Sequence, residues 1–385
     1  MLSKHIKFKN FQLRNNTNKI KIILKKLLRE DNEIFFSLKK NYQNSFSKKL
    51  INKYKKFKNL NLIGIGGSSL GFKSIYYFLS HKIKKKVSFL DNLFIKHQFK
   101  DTQEKLNLII SKSGNTIETI VNSNIYIKKN DKNIFLTDKK NNYLTLLAKK
   151  LKSEIISHNN YIGGRFSVLS EVGMLPAELV GLDSKKFKKF DDLVKNKRFI
   201  NSLTSNVSTT LNLIKKNKKI NSVIINYDEK SNNLFLWYQQ LIAESLGKKY
   251  KGVLPIVSTM PKDNHSVMQL YLDGIQKNFY TFFFVHEKKS LKINNSMIFN
   301  DKTFLRNKNI IKILHAQKLA TERVFIKKKI PFRSFEIFKR TEDTLGELFT
   351  FFILETILLA RALNINPYDQ PAVELIKKET KKILS

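Results

Sequence analysis

Glu244, Arg165, His265 and Lys377 are the side chains in this sequence whose type and setting could do proton chemistry. In "WYQQLIAESLGKK", Gln240 and Glu244 stand four apart, on one face of a helix. A carboxylate among Leu, Ile and Ala, with Gln one turn away, suits a general base, because burial lifts a carboxylate pKa toward neutrality. "YIGGRFSVLSEVG" puts Arg165 after Gly163 and Gly164, in a loop before a helix; the glycines expose backbone and favour a cleft-facing Arg. "DNHSVMQLY" places His265 at a helix start, and "YDQPAVELIKK" sets Gln370 and Lys377 two turns apart on one face. Each has a plain alternative: a surface Arg in a turn, a structural His, one Lys among many.

Two loops have the form of anion sites. "GIGGSSLG" (Gly64 to Gly71) lets backbone approach a ligand closely, since glycine carries no Cβ. "LIISKSGNTIETIV" runs three apolar residues into Ser111, Lys112, Ser113, Gly114, Asn115 and Thr116 before an amphipathic stretch. Hydroxyls and unpaired backbone N–H groups at a helix start attract anions. Simple helix capping by Ser, Asn and Thr accounts for either loop alone; two such loops in one sheet favour a phosphate. A dinucleotide reading starts from Gly64 and Gly66, with Asp91 ending the next strand where a ribose-binding acid would stand. Ser69 occupies the third fingerprint glycine, so that motif is incomplete, and the Lys-Ser/Thr ending of a P-loop is missing.

These loops need strands and helices to hold them. "LNLIGI" (60–65), "KVSFLD" (86–91), "KLNLIIS" (105–111) and "KNIFLTD" (132–138) read as short buried strands with helices between, hence a parallel doubly wound sheet. The pattern restarts with "NSVIINYD" (221–228), the helix "NLFLWYQQLIAESLG", "GVLPIVS" and "NFYTFFFVH". The fold class is therefore α/β, with two doubly wound parallel-sheet domains and flanking long helices at 309–326, 341–364 and 370–384. Residues 1–58 are Lys-rich and read as helical. The expected division is an N-terminal helical arm (1–45), a first α/β domain (46–204), a second (205–345) and C-terminal helices packing on the active site (346–385). In such sheets ligands sit beyond the carboxyl ends of the strands.

Composition bounds the rest. The 385 residues suggest two or three domains with real cores. The net charge of +41 invites a nucleic-acid reading, yet the excess is Lys scattered along the chain, only nine residues are Arg, and no zinc-finger or aromatic RNA-binding motif is present. The charge reads as solvated Lys that draws in small anions, with no nucleic-acid partner. There is no cysteine, which rules out a thiolate zinc site and a Cys nucleophile. "LGELFTFFILETILLARAL" carries Glu347, Glu355 and Arg361, so it reads as a buried helix and no membrane partner is expected. "MLSKHIKFKNFQLRNN" has no apolar stretch of a signal peptide, and a cytoplasmic setting is expected.

From residue 60 to 380, "GIGGSSLG", "SKSGNTIET", "GGRFSVLSEVG", "QQLIAESLGK", "HSVMQLY" and "DQPAVELIK" follow in an order that resembles the phosphoglucose isomerase family, built from two sugar-isomerase-type (flavodoxin-like) domains. The resemblance implies interconversion of glucose 6-phosphate and fructose 6-phosphate through an enediolate, with no metal or organic cofactor. It assigns Ser68, Ser111, Ser113 and Thr116 to the cradle of the 6-phosphate, with Gly67, Lys112 and Gly164 beside them. Arg165 is similar to the cation that stabilises the enediolate, Glu244 to the base moving a proton between C2 and C1. His265 and Lys377 are similar to the pair assisting ring opening, Gln240 and Gln370 to substrate-positioning residues. It further implies hexose 6-phosphate partners and a homodimer in which His265 reaches the neighbouring subunit's site. "SGNT" stands where many members have Thr-Phe-Thr-Thr, a variant shared with enzymes that also take mannose 6-phosphate. A bifunctional glucose/mannose-6-phosphate isomerase is thus one alternative, and a non-catalytic sugar-phosphate-binding regulator another. Asn264, Leu246 and Ile376 also depart from the family pattern without removing a catalytic group.

Overall fold

A computed structural model describes residues 2–11, 13, 16–95, 104–138 and 141–385. A strand, β1 (Ile6–Lys9), precedes the helices α1 (Asn18–Leu27), α2 (Glu33–Leu38) and α3 (Lys48–Tyr54). The first alternating unit follows: β2 (Asn59–Ile63), α4 (Leu70–Phe78), β3 (Lys86–Leu90), β4 (Lys105–Ile110), α5 (Ile117–Tyr126), β5 (Lys132–Thr137), α6 (Tyr143–Lys150) and β6 (Glu154–Ser157). Helices α7 (Glu171–Leu179), α8 (Phe190–Lys195) and α9 (Lys197–Lys215) lead to the second. That unit holds β7 (Asn221–Asn226), α10 (Asn232–Leu246), β8 (Leu254–Thr259), α11 (Met268–Asp273), β9 (Asn278–Val285), α12 (Ile310–Lys327) and β10 (Phe332–Ile337). Helices α13 (Glu342–Ala362) and α14 (Val373–Leu384) end the chain.

The strands form two five-stranded sheets, ordered β3-β2-β4-β5-β6 and β1-β10-β9-β7-β8. The first is parallel throughout; the second is parallel except at β1, which runs antiparallel to β10 with Ile6 opposite Ile337. Here the expectation of a wholly helical N-terminal arm is corrected. "IKFK" alternates apolar and charged residues, with Ile6 buried and Lys7 exposed, the period-2 pattern of a half-buried strand. Its lysines also guard the open edge of the sheet against further pairing.

Strand β10 went unread in the sequence because "FRSFEI" carries two charges. Both are neutralised inside the fold. Arg333 pairs with Glu355 and donates from Nε to Thr281 at 2.9 Å, while Glu336 meets Lys318 at 2.8 Å. Glu355 also accepts from Asn206 (2.5 Å) and Tyr238 (3.0 Å), so β10, α9, α10 and α13 meet at one buried polar knot. Burial and the adjoining Glu355 push the Tyr238 hydroxyl well above the usual tyrosine range. The expected divisions at 204/205 and 345/346 fall inside α9 and α13, both continuous helices.

Helix α13 is the apolar run of the sequence, and it is buried along nearly its whole length. Phe349 packs edge-on against Trp237, and Phe351 against Phe8 and Phe335, so one core joins both units. Among the described residues no helix is long and apolar enough to cross a membrane.

Candidate active site

The glycine loop after β2 is where the site is assembled. A methyl group on Gly64 would stand 2.8 Å from the carbonyl oxygen of Ile110, the last residue of β4. One on Gly66, at φ +57°, would stand 3.0 Å from Gln240 Nε2 on α10. One on Gly67 would stand 2.2 Å from the carbonyl carbon of Gly164. A Cβ at Gly67 would collide with backbone that cannot yield, so the close approach requires glycine. Through these contacts one loop touches the Ser111 turn, the α10 face and the Arg165 turn.

Arg165 is buried, and all five of its N–H groups are placed. Nε donates to Ser245 Oγ (2.9 Å); Nη1 donates to Glu244 Oε2 (3.1 Å) and Gln370 Oε1 (2.7 Å); Nη2 donates to the carbonyls of Pro367 (2.6 Å) and Asp369 (3.1 Å). Burial pulls the guanidinium below its ordinary pKa, and Glu244 opposes the shift; arginine stays charged across any working pH. The Phe166 ring lies 5.0 Å from the guanidinium carbon, and Trp237 Nε1 donates to the Arg165 carbonyl at 3.1 Å. Side chain and backbone of Arg165 are therefore both held in place.

Glu244 accepts from Arg165 on one oxygen and from Gln240 Nε2 on the other, at 2.9 Å. Its side chain keeps 27% of its surface. The apolar setting expected of it is thus replaced by a guanidinium and an amide. An ionised carboxylate offers about four lone-pair sites, so two remain for a proton. Gln240 Oε1 is buried and has no hydrogen-bond partner.

In the loop after β4, Thr116 occupies the cap position of α5 but makes no capping bond. Its Oγ1 instead pairs with Ser111 Oγ at 2.9 Å, leaving the first turn of the helix uncapped by a side chain. Ser113 Oγ accepts from the Asn115 N–H at 3.3 Å. Gly114 adopts φ +65°, and a Cβ there would sit 2.0 Å from Asn142 Oδ1, which caps α6. Lys112 is half-buried; desolvation pulls its ammonium below the usual lysine range, with Asp138 opposing. Asp91, the residue that a dinucleotide site would need, pairs with Lys73 at 2.8 Å.

The structure thus brings Arg165, Glu244, Gln240 and Gln370 together and sets Gly67 and Gly164 in contact beneath them. Ser68 lies in the same glycine turn. It does not bring in Lys377 or His265. Lys377 lies on α14, no residue of which is buried; its side chain is 61% exposed and bonded to Glu374 at 2.6 Å. The expected packing of this terminal helix on the active site is therefore not seen within one chain; only the Pro367–Gln370 turn ahead of it reaches Arg165. His265 is exposed in a short turn after β8. Sequence reasoning missed Ser245, Trp237 and the carbonyls of Pro367 and Asp369. Trp237, seven residues before Glu244 on the same face, carried the one usable signal; main-chain acceptors leave none.

The phosphoglucose isomerase family model matches residues 8–261. The chain is 32% identical over 352 residues to the glucose-6-phosphate isomerase of Methanocaldococcus jannaschii, covering 85% of each. It is 33% identical over 355 residues to the glucose-6-phosphate isomerase of Campylobacter jejuni, covering 85% of this chain and 86% of that one. In structure it resembles a hypothetical protein of Thermus thermophilus, with a TM-score of 0.82 at 22% identity over 96% of this chain and 94% of the other. By sequence match along most of its length, and with its fold in agreement, this chain belongs to the phosphoglucose isomerase family.

Proposed function

We propose that this chain interconverts glucose 6-phosphate and fructose 6-phosphate, with Glu244 as the base. The observation that carries this is the glycine loop. It places a carboxylate–guanidinium pair beside a hydroxyl loop at an uncapped helix start. The 6-phosphate is held by Ser68, Ser111, Ser113 and Thr116, with Lys112 adding charge and the first N–H groups of α5 pointing at the anion. Glu244 removes the C2 proton and returns it to C1, a step worth about 10²–10⁴-fold for a positioned base. Arg165, fixed by five bonds, supplies a preorganised positive charge to the enediolate without reorganising during the reaction. The unpartnered Gln240 Oε1 accepts a sugar hydroxyl, and Gln370 holds the Arg165 plane.

Ring opening is assigned to His265 and Lys377 in a homodimer. Their exposure supports a role completed by a second copy, as do Leu375, Ile376, Ile383 and Leu384, which α14 leaves exposed. The setting is cytoplasmic, in keeping with the soluble phosphosugar substrates.

The test is isomerisation of fructose 6-phosphate by the purified chain, read through a coupled dehydrogenase, with mannose 6-phosphate alongside. Turnover of fructose 6-phosphate is expected; sugar-phosphate binding by a folded dimer with no turnover would replace the isomerase with a regulator. For the shared site, inactive Glu244→Gln and His265→Ala chains are unfolded, mixed and refolded together. If His265 acts across the interface, one intact site per mixed dimer restores about a quarter of wild-type activity by random pairing. No recovery would return His265 to its own chain.

A further inference from the structure

His286, His315 and Glu336 converge at the end of the second sheet, away from Glu244 and Arg165. A ligand-capable atom of each lies within 4.8 Å of the others. Three elements supply them. His286 follows β9 directly, Glu336 is the next-to-last residue of the adjacent β10, and His315 stands on α12 with its ring 5.0 Å from that of His286. Strand register fixes the first two, since Ile337 pairs with Val285 and the His286 N–H donates to the Ile337 carbonyl at 2.7 Å.

The polar atoms are arranged for a cation. His286 Nε2 lies 3.0 Å from Glu336 Oε2. Glu336 Oε1 is held at 2.8 Å by Lys318, whose own charge is balanced by Glu322 at 2.9 Å. Anchoring the second carboxylate oxygen in this way orients the first, the outer support that metal-binding carboxylates receive. His315 Nε2 is buried without a hydrogen-bond partner, a costly arrangement for an imidazole nitrogen unless something binds it. Glu322 and Glu336 are offset by Lys318 and by Lys7 on the neighbouring β1, so the imidazole nitrogens and the Glu336 oxygen would bind the ion without a surplus of negative charge.

Two imidazoles and one carboxylate suit borderline divalent transition ions; Mg²⁺ and Ca²⁺ prefer oxygen alone. Bond lengths of about 2.0–2.2 Å place tetrahedral ligands roughly 3.3 Å apart, so the three side chains need only close in by small rotations. Of the three, His286 alone lines a cavity of about 650 Å³, whose wall is mostly basic (Lys82, Lys288, Lys289, Lys339 and Arg340 against Glu287), so an ion would enter past His286 against that charge.

We propose that His286, His315 and Glu336 bind one divalent transition ion of the Zn²⁺ or Co²⁺ class, clamping α12 to the ends of β9 and β10. The ion takes the place of the proton shared by His286 and Glu336. It serves no step of the isomerisation.

Titrating the full-length chain with Co²⁺ and following its visible absorption, with Zn²⁺ equilibrium dialysis in parallel, tests this. One ion per chain with a strong tetrahedral-type band is expected, weakened at least about tenfold in His315→Ala. Binding of equal strength in His315→Ala, or no stoichiometric binding to the unaltered chain, would overturn it. Should that variant fail to fold, ¹⁵N imidazole resonances of the unaltered chain decide: Zn²⁺ must shift His286 and His315, and shifts confined to other histidines reject the site.

Discussion

The two sheets open in the same way and use the opening differently. In the first, β2 and β4 lie side by side while β3 flanks one and β5 the other; in the second, β7 and β9 diverge likewise toward β8 and β10. Such a divergence leaves a crevice at the carboxyl ends of the strands. The first crevice is lined by Gly64, Gly66, Gly67, Ser111 and Thr116, which take up little space and offer hydrogen bonds. The second receives Asp228 after β7 and Glu287 after β9, and Arg340, following β10, reaches back to both, at 2.5 Å for Glu287. Phe78 of the first unit stacks 4.9 Å from the Arg340 guanidinium, and Lys82 pairs with Glu342. One crevice presents small residues and hydroxyls, and in the other an ion pair on the wall of the cavity ties the two units together. Topology supplies the opening; a handful of side chains decides whether it binds or welds.

That contrast can be broken at either end. The largest effect is expected at the weld. Arg340→Met strands the largely buried Asp228 carboxylate, while Glu287 keeps a longer pairing with Lys230, and should lower unfolding free energy by about 3 kcal/mol in urea titrations, with kcat and KM unchanged. A collapse of kcat in a variant of normal stability would mean that the second crevice joins the reaction. In the first crevice, Arg165→Lys keeps a charge but cannot reach five acceptors. Steady-state kinetics should show kcat reduced about a hundredfold and KM moved far less. Equal changes in both would make Arg165 a mere binding group. The smallest effect is expected from Thr116→Val, which removes one hydroxyl from the phosphate loop. KM should rise about tenfold, the value of one hydrogen bond to a charged group, with kcat nearly intact.

The first crevice was largely legible in the sequence, and the second was not. Glycine and hydroxyl loops between apolar strands announce themselves, because few residues tolerate φ +57° or the close approach at Gly67. Glu244 and Gln240 were readable from helical spacing alone. The Arg340 weld left no trace, since Asp228, Glu287 and Arg340 are far apart in the chain and each looks like a loop charge. The same blindness hid β10, whose Arg333 and Glu336 find partners only in the folded state. Strand β1 was different: its alternation was present, and the surrounding Lys-rich composition obscured it. Lys377 was legible as a family position, yet a motif does not say where a terminal helix packs, and in this chain α14 lies exposed.

Glu244 is the group proposed to move the proton. The direct measurement is turnover of fructose 6-phosphate by Glu244→Gln, with sugar-phosphate affinity determined calorimetrically on the same sample. Gln keeps the size of the side chain and, through its amide oxygen, can still accept from Arg165, so binding should persist while kcat falls about 10²–10⁴-fold. Turnover within a few-fold of wild type, with binding intact, would contradict the assignment and move the base elsewhere in the crevice.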